Sequence, residues 1–281
     1  MNPRMTNFFL HEDSGLLNIA HRGGAALRPE NTLLAFRHAL TVGAVALEGD
    51  LHATKDGVVA VCHDATVDRT TDGYGYIKDQ TLEELSRLDA GYRFTPDGGI
   101  SYPYRGQGAG IPSLEEVFGD PVLKKTPMVL EIKQQEPSIV DDVLDLIQAH
   151  DMEDRLTLGS FRQTILEEVR VKGRQRGMNI ITSLAAEEVL GLFLAPLDEL
   201  ARGEYVPPGD LLQVPFEHEL EGTSVRVVSE SFMAKARVLG LKVQVWTVND
   251  PAEMRWLACE MKVDGLMTDD PQLLEDVIRE L

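Results

Sequence analysis

Cysteine, basic residues and long apolar runs are all scarce in this chain. Two cysteines in 281 residues, Cys62 and Cys259, allow no disulfide framework and have no metal-binding spacing. Both stand among apolar residues and read as buried thiols. Lys and Arg number 27 against 46 Asp and Glu, a formal net charge of −19. Nucleic-acid binding draws on basic surface to displace counterions, so the charge speaks against that partner, and against adhesion to anionic lipid. No stretch approaches the roughly 20 apolar residues of a membrane span. The run Asn7-Phe8-Phe9-Leu10 is too short for a secretory signal. The expected compartment is therefore the cytoplasm, without a transmembrane segment and with transient lipid contact at most. No apolar helix face stands out as an interface, which leaves the oligomeric state open.

What is present is a regular alternation of short apolar runs with periodic segments. Strands are expected at Leu17–Ala20, Ala44–Leu51, Val58–Cys62, Met128–Ile132, Leu156–Gly159, Asn179–Ser183, Leu211–Val214, Val243–Val248 and Val263–Met267. Helical periodicity marks Thr32–Val42, Ile139–Ala149, Gln163–Lys172, Glu230–Leu239 and Ala252–Met261 between them. This pattern indicates a parallel α/β fold, and about 250 residues of it suits an eight-stranded (β/α)8 barrel. Nine strands are one too many. The surplus falls at Lys55-Asp56-Gly57, where no crossover helix fits, so the segment reads as a hairpin turning at Asp-Gly. Folding back about Asp56 sets His63 opposite residues 49 and 50. The whole chain, 1–281, is expected to form one barrel domain, with 73–127 as an inserted, cap-like segment. That insert contains two capping boxes, Thr81…Glu84 and Ser113…Glu116, around a Gly/Tyr/Pro-rich loop. The glycines of Gly73-Tyr74-Gly75 and of residues 106–110 follow no strand and read as turns.

Charge gathers at the ends of buried-type strands. Glu48 and Asp50 share one face of a strand whose earlier residues are apolar. Buried carboxylates repel unless something neutralises them. Glu131, ending another apolar strand, makes a third. Three carboxylates without Cys or regularly spaced His favour a hard cation, Mg²⁺ or Ca²⁺, with Mn²⁺ also admissible. His21 and His63 end strands beside these carboxylates and suit general acid-base chemistry. Arg22 offers a planar fork for phosphate oxygens, against the alternative of a surface salt bridge. Lys133 is read as neutralising phosphate or as pairing with Glu131. His52 is taken as structural, and His11, His38, His150 and His218 as surface residues. Trp246 is either core or an apolar wall for a substrate alcohol.

The same residues carry a clear resemblance to the glycerophosphodiester phosphodiesterase family. It runs through His21-Arg22-Gly23…Pro29-Glu30-Asn31-Thr32, Glu48-x-Asp50, Thr54-Lys55-Asp56-Gly57 and His63-Asp64…Asp68-Arg69-Thr70-Thr71. It continues through Ile111–Glu116, Leu130-Glu131-Ile132-Lys133, Trp246-Thr247-Val248-Asn249 and Val263–Asp269. The resemblance implies a distorted TIM barrel that hydrolyses glycerophosphodiesters to glycerol 3-phosphate and an alcohol. It implies His21 and His63 as the catalytic pair, Glu48, Asp50 and Glu131 as metal carboxylates, and Arg22 and Lys133 as phosphate contacts. Gly49 departs from the family, which carries a bulky apolar residue there. The segment 190–225 matches poorly, and its apolar patches resemble those of members acting on lysophospholipids, with 92–110 and 190–215 as candidate channel walls. Lysophospholipase D activity is thus the alternative reading. A catalytically dead binding protein should lack one of these histidines or carboxylates, and all are present.

Overall fold

The computed structural model describes residues 7–11, 15–203, 205–220 and 222–281. Its strands, in chain order, are β1 (Leu17–Ala20), β2 (Ala46–Ala53), β3 (Val59–Val61), β4 (Met128–Ile132), β5 (Leu156–Gly159), β6 (Ile181–Thr182), β7 (Leu211–Pro215), β8 (Glu217–Leu220), β9 (Thr223–Arg226), β10 (Lys242–Trp246) and β11 (Gly265–Thr268). Eight of them run parallel in the order β6-β5-β4-β2-β1-β11-β10-β7. The helices are α1 (Leu33–Thr41), α2 (Leu82–Leu85), α3 (Leu114–Gly119), α4 (Val140–Ala149), α5 (Gln163–Gln175), α6 (Ala186–Leu194), α7 (Leu197–Ala201), α8 (Glu230–Val238), α9 (Pro251–Trp256) and α10 (Pro271–Glu280).

The sheet curls into a nearly closed barrel whose seam lies between its two ends, β6 and β7. Ser183 bridges Leu211 in parallel there. The amides of Asp210 and Leu184 donate to the carbonyls of Thr182 and Leu211 at 2.8 and 3.0 Å. β6 is only two residues long, so a side chain reinforces the seam. Arg170 of α5 donates to Thr182 Oγ1 at 3.0 Å and to the Ser183 carbonyl at 2.9 Å, while Glu188 of α6 accepts from its guanidinium at 2.7 and 3.0 Å.

Side-chain alternation divides each strand between two environments. Leu47, Leu51 and Ala53 of β2 and Met128, Leu130 and Ile132 of β4 pack outward with α1, α3 and α4. Leu212, Val214, Val243, Val245 and Leu266 do the same with α8 to α10. Inward-facing Leu17, Ile19, Ala46, Val129, Ile181, Leu211 and Met267 fill the lower barrel, closed from below by Phe9. Asn7 fixes that plug, its amide nitrogen donating to the carbonyls of Glu153 and Leu156 at 3.0 Å each. The inward residues further up β2, β4 and β7 are Glu48, Asp50, Glu131 and Gln213, with Gln213 Nε2 donating to Gln244 Oε1 of β10 at 3.0 Å. The barrel is thus apolar at its base and polar at its mouth.

The expected hairpin is present: β2 and β3 pair antiparallel as Leu51↔Val61, His52↔Ala60 and Ala53↔Val59. Its turn holds Gly57 at φ +80°, a backbone conformation natural to glycine. Both capping boxes of the 73–127 segment form, at Thr81/Glu84 and Ser113/Glu116. Ala60, Cys62, Val67, Ile77, Leu85, Ala90 and Ile111 make a small separate core. Leu114, Val117 and Phe118 of α3 instead join the barrel's outer core, so α3 serves as the crossover helix into β4. No helix among the described residues is long and apolar enough to cross a membrane.

Several expectations need correction. Cys259 is exposed, on the outer side of the π-helical turn after α9; only Cys62 is buried, and burial pushes its thiol up to about 12. His150 is half-buried, tilted against Phe118 at 5.7 Å and 3.1 Å from Glu115. His38 is half-buried as well. Leu211–Val214 lies in barrel strand β7, as its expected strand character implies, with Leu211, Leu212 and Val214 in the core, so this patch is not a channel wall. In the 192–194 patch Leu192 is buried and Leu194 is 71% exposed. The β8–β9 hairpin, Glu217–Leu220 with Thr223–Arg226, carries no apolar alternation and so gave no signal.

Two stability outcomes follow from this packing. The Arg170 and Glu188 side chains are each 9% exposed, and removing one partner of a buried pair leaves an uncompensated charge. Glu188→Ala should therefore lose about 3–5 kcal/mol in urea denaturation; a loss below 1 kcal/mol would show that the remaining partners hold Arg170 unaided. A Cβ at Gly49 would stand 3.2 Å from Asn31 Oδ1 and 3.3 Å from both Phe36 Cζ and Val61 Cγ1. Gly49→Leu should overpack this site and lower stability by about 1–3 kcal/mol. A stabilised variant would mean that α1 has room to move outward.

Candidate active site

β1 ends at Ala20, and the chain turns tightly through His21–Gly23. Arg22 and Gly23 are left-handed, with φ 51° and 80°. Gly23 also lies against α1, where a Cβ would come within 2.8 Å of Phe36 and 2.9 Å of Ala35. Only glycine fits that approach. The turn aims the Arg22 amide at Glu48 Oε2, to which it donates at 2.7 Å. β1 pairs with β11 as Ala20↔Thr268, so His21 falls beside Asp269. Its Nδ1 is 2.6 Å from Asp269 Oδ1. A carboxylate only accepts, so Nδ1 carries the proton and Nε2 is left facing Glu48 at 4.0 Å. Asn249 holds Asp269 in turn, donating from Nδ2 at 2.8 Å.

β2 and β4 pair in the register Asp50↔Glu131, which brings the third carboxylate alongside the second. Lys133 Nζ stands 3.2 Å from Asp50 and 2.7 Å from Glu131. Asn31 Nδ2 donates to Asp50 Oδ2 at 3.0 Å, and Arg22 Nε lies 3.7 Å from the same oxygen. That Nε is buried and has no hydrogen-bond partner. The motif Pro29–Thr32 thereby divides into separate tasks. Thr32 caps α1, Asn31 braces Asp50, and Glu30 accepts from Arg22 Nη1 at 3.1 Å.

The hairpin delivers His63 to the same mouth. Its Nδ1 lies 2.6 Å from Asp64 Oδ1, so this imidazole also keeps its Nδ1 proton toward a carboxylate and Nε2 free. Arg69 binds Asp64 from the other side at 2.6 Å and reaches Glu30 at 2.7 Å through two nitrogens. His52 Nε2 donates to the His63 carbonyl at 3.2 Å, a structural contact in keeping with the sequence reading. Trp246 is half-buried at the end of β10 and meets Phe161 edge-on at 5.6 Å; Lys133 Nζ lies 5.6 Å from that Phe161 ring.

These contacts set the charges. Glu48 is raised above the carboxylate range by burial first and then by Asp50. Asp50 is lowered: burial works against its charge, but Lys133, His63, Asn31 and Arg22 outweigh it. Burial raises Glu131 despite Lys133. Burial would lower His21, yet the Asp269 hydrogen bond and Glu48 raise it overall. For His63 burial prevails over Asp50 and Asp64, and it is lowered.

The donor chemistry fits a hard divalent cation: three carboxylates on two adjacent strands, with Glu48 pushed toward its neutral form by burial and then by the charge of Asp50. As placed, no three His, Cys, Asp or Glu side chains among the described residues converge closely enough to hold an ion. Lys133 stands between Asp50 and Glu131 instead.

His21, Arg22, Glu48, Asp50, His63, Glu131 and Lys133 thus meet at one mouth, with Trp246 on its rim. The residues that sequence reasoning left unassigned are the supporting ones: Asp269, Asp64, Glu30, Asn31, Arg69 and Phe161. All but Phe161 lie within quoted motifs, and Asp64 adjoins His63. Asp269 had a topological signal, since the last strand of a closed barrel returns beside the first.

Residues 21–273 match the sequence profile of the glycerophosphoryl diester phosphodiesterase family. A glycerophosphodiester phosphodiesterase of Caldanaerobacter subterraneus subsp. tengcongensis is 33% identical over 269 residues, spanning 94% of this chain and 98% of that protein. The mouse lysophospholipase D GDPD1 is 28% identical, over 93% of this chain and 85% of that protein. The crystal structure of a Thermotoga maritima glycerophosphodiester phosphodiesterase superposes with a TM-score of 0.66 at 27% identity, covering 95% of this chain and all of that one. A match of this breadth, on a barrel of the same kind, makes the chain a member of the glycerophosphoryl diester phosphodiesterase family and so one of the phosphoric diester hydrolases.

Proposed function

We propose that the barrel mouth hydrolyses small glycerophosphodiesters to glycerol 3-phosphate and an alcohol. One observation carries this reading: two imidazoles present Nε2 to a common mouth, each held by a carboxylate on Nδ1 at 2.6 Å. Such groups are oriented for proton transfer. One histidine takes the proton of the attacking oxygen and the other returns a proton to the leaving alkoxide. The attacker is water or the glycerol 2-hydroxyl, the latter through a cyclic phosphate. Arg22 Nε, buried without a partner, is the donor for a phosphate oxygen. Lys133 adds a second positive charge beside it. Glu48, Asp50 and Glu131 would hold Mg²⁺ or Ca²⁺, with Mn²⁺ as a third candidate; such a cation supplies Lewis-acid polarisation of the phosphate. The 73–127 segment serves as a cap that shapes access for the alcohol. Arg28, next to the His21 turn, stacks over its Tyr104 at 5.6 Å and supports that placement.

A lysophospholipase D reading has one observation in its favour. Phe161 is 52% exposed beside Trp246, an apolar wall at the mouth broad enough to meet an acyl chain. Turnover of glycerophosphocholine against lysophosphatidylcholine separates the two; a preference for the acylated substrate would replace the first reading.

His21→Ala and His63→Ala should each lose about 10²–10⁴-fold in kcat on a diester panel. If both variants keep wild-type rates, the two-histidine assignment is wrong. EDTA should abolish turnover, with Mg²⁺, Ca²⁺ or Mn²⁺ restoring it. Full activity in EDTA would leave the charge balance to Lys133 and Arg22 alone.

A further inference from the structure

We infer that Arg69 is a positioning residue that locks the proton-transfer side of the mouth to its phosphate-binding side. The inference rests on the proposed reaction. The guanidinium makes two forked contacts at once. Nε and Nη2 reach Asp64 at 2.6 and 3.3 Å, while Nη1 and Nη2 reach Glu30 at 2.7 Å each. Each carboxylate holds a working side chain with its remaining capacity. Asp64 accepts a hydrogen bond from His63 Nδ1 at 2.6 Å, and Glu30 accepts one from Arg22 Nη1 at 3.1 Å. The contacts form one unbroken line, His63–Asp64–Arg69–Glu30–Arg22, which ends 3.7 Å from Asp50. One planar cation sets the spacing between an imidazole and a phosphate donor that come from different strands.

Arg69 can do this because its backbone is itself anchored. Val67 and Thr71 on either side are both fully buried. The Thr71 hydroxyl and amide donate to the Val67 carbonyl at 2.8 and 3.1 Å, and Asp68 accepts from the Gly75 amide at 2.9 Å. A lysine at position 69 has a point charge and serves one carboxylate, not two forks. The Arg69 side chain is 47% exposed, and half-exposed ion pairs add little to global stability. What lies at its two ends gives a reason to hold this many side chains in order.

The test is steady-state kinetics on glycerophosphocholine with divalent metal. Arg69→Ala should lose about 10–100-fold in kcat, as removal of outer-shell partners does, and gain several-fold in KM, with the thermal midpoint within a few degrees of wild type. Arg69→Lys should restore neither parameter fully, whereas millimolar guanidinium should rescue Arg69→Ala. In a His63→Ala background, Arg69→Ala should leave kcat unchanged and still raise KM. Glu30→Gln should raise KM more than it lowers kcat, and it serves if Arg69→Ala does not fold. Wild-type kcat and KM in Arg69→Ala overturn the inference, as does an undiminished kcat loss in the His63→Ala background. If the wild-type protein turns over no diester, the proposed reaction fails separately. The line of contacts is then read from the His63 Nδ1 proton by NMR: a shifted or broadened resonance in Arg69→Ala supports it, and an identical one overturns it.

Discussion

Burying Glu48 and Asp50 on the inward face of one strand is the constraint from which the rest of the mouth follows. They are 5% and 1% exposed, and carboxylates in that position are unfavourable without compensation. Asp50 receives it from Lys133, Asn31 and Arg22, and is held ionised. Glu48 receives only the Arg22 amide and a distant His21, and is driven toward its neutral form. The protein therefore satisfies one carboxylate and leaves its neighbour short of positive charge. A fold built for stability alone would place apolar residues here. A cation held there, as proposed above, would offset this deficit, and only then would the mouth favour an anionic substrate.

The barrel makes that deficit tolerable by confining it to one end. Lower down, the same inward alternation of β1, β2, β4, β6, β7 and β11 gives an apolar plug of aliphatic side chains sealed by Phe9. The polarity gradient arises from strand position alone. Ala46, Glu48 and Asp50 succeed one another on one face of β2, passing from packed core to mouth in two steps of the pleat. No insertion or bulge is needed, and the outward residues Leu47, Gly49 and Leu51 hold the strand against α1 and α3 meanwhile.

What the sequence made legible was local or periodic. The β2–β3 hairpin, with Asp56-Gly57 at its turn, placed His63 opposite residues 49 and 50, and the observed register agrees. Both capping boxes and the barrel strands were readable for the same reason. What escaped depended on tertiary closure or on outward orientation without a periodic cue. Asp269 reaches His21 only because β11 returns to β1. Arg69 looks like a surface charge until Glu30 is folded against it. Cys259 has apolar neighbours in sequence, yet the π-helical turn rotates it outward.

The two histidines also differ in how their supports are assembled. His63 takes its carboxylate from the adjacent residue, and that contact requires only the hairpin. His21 takes its carboxylate from the far end of the chain, across the β1–β11 pairing, and Asn249 after β10 fixes that carboxylate in turn. The orientation of His21 thus reports closure of the second half of the barrel, whereas that of His63 reports only the first. A contact of such sequence separation carries the loop-closure entropy of the intervening chain, which the His63–Asp64 contact does not. Both imidazoles have their carboxylates only once β11 lies beside β1.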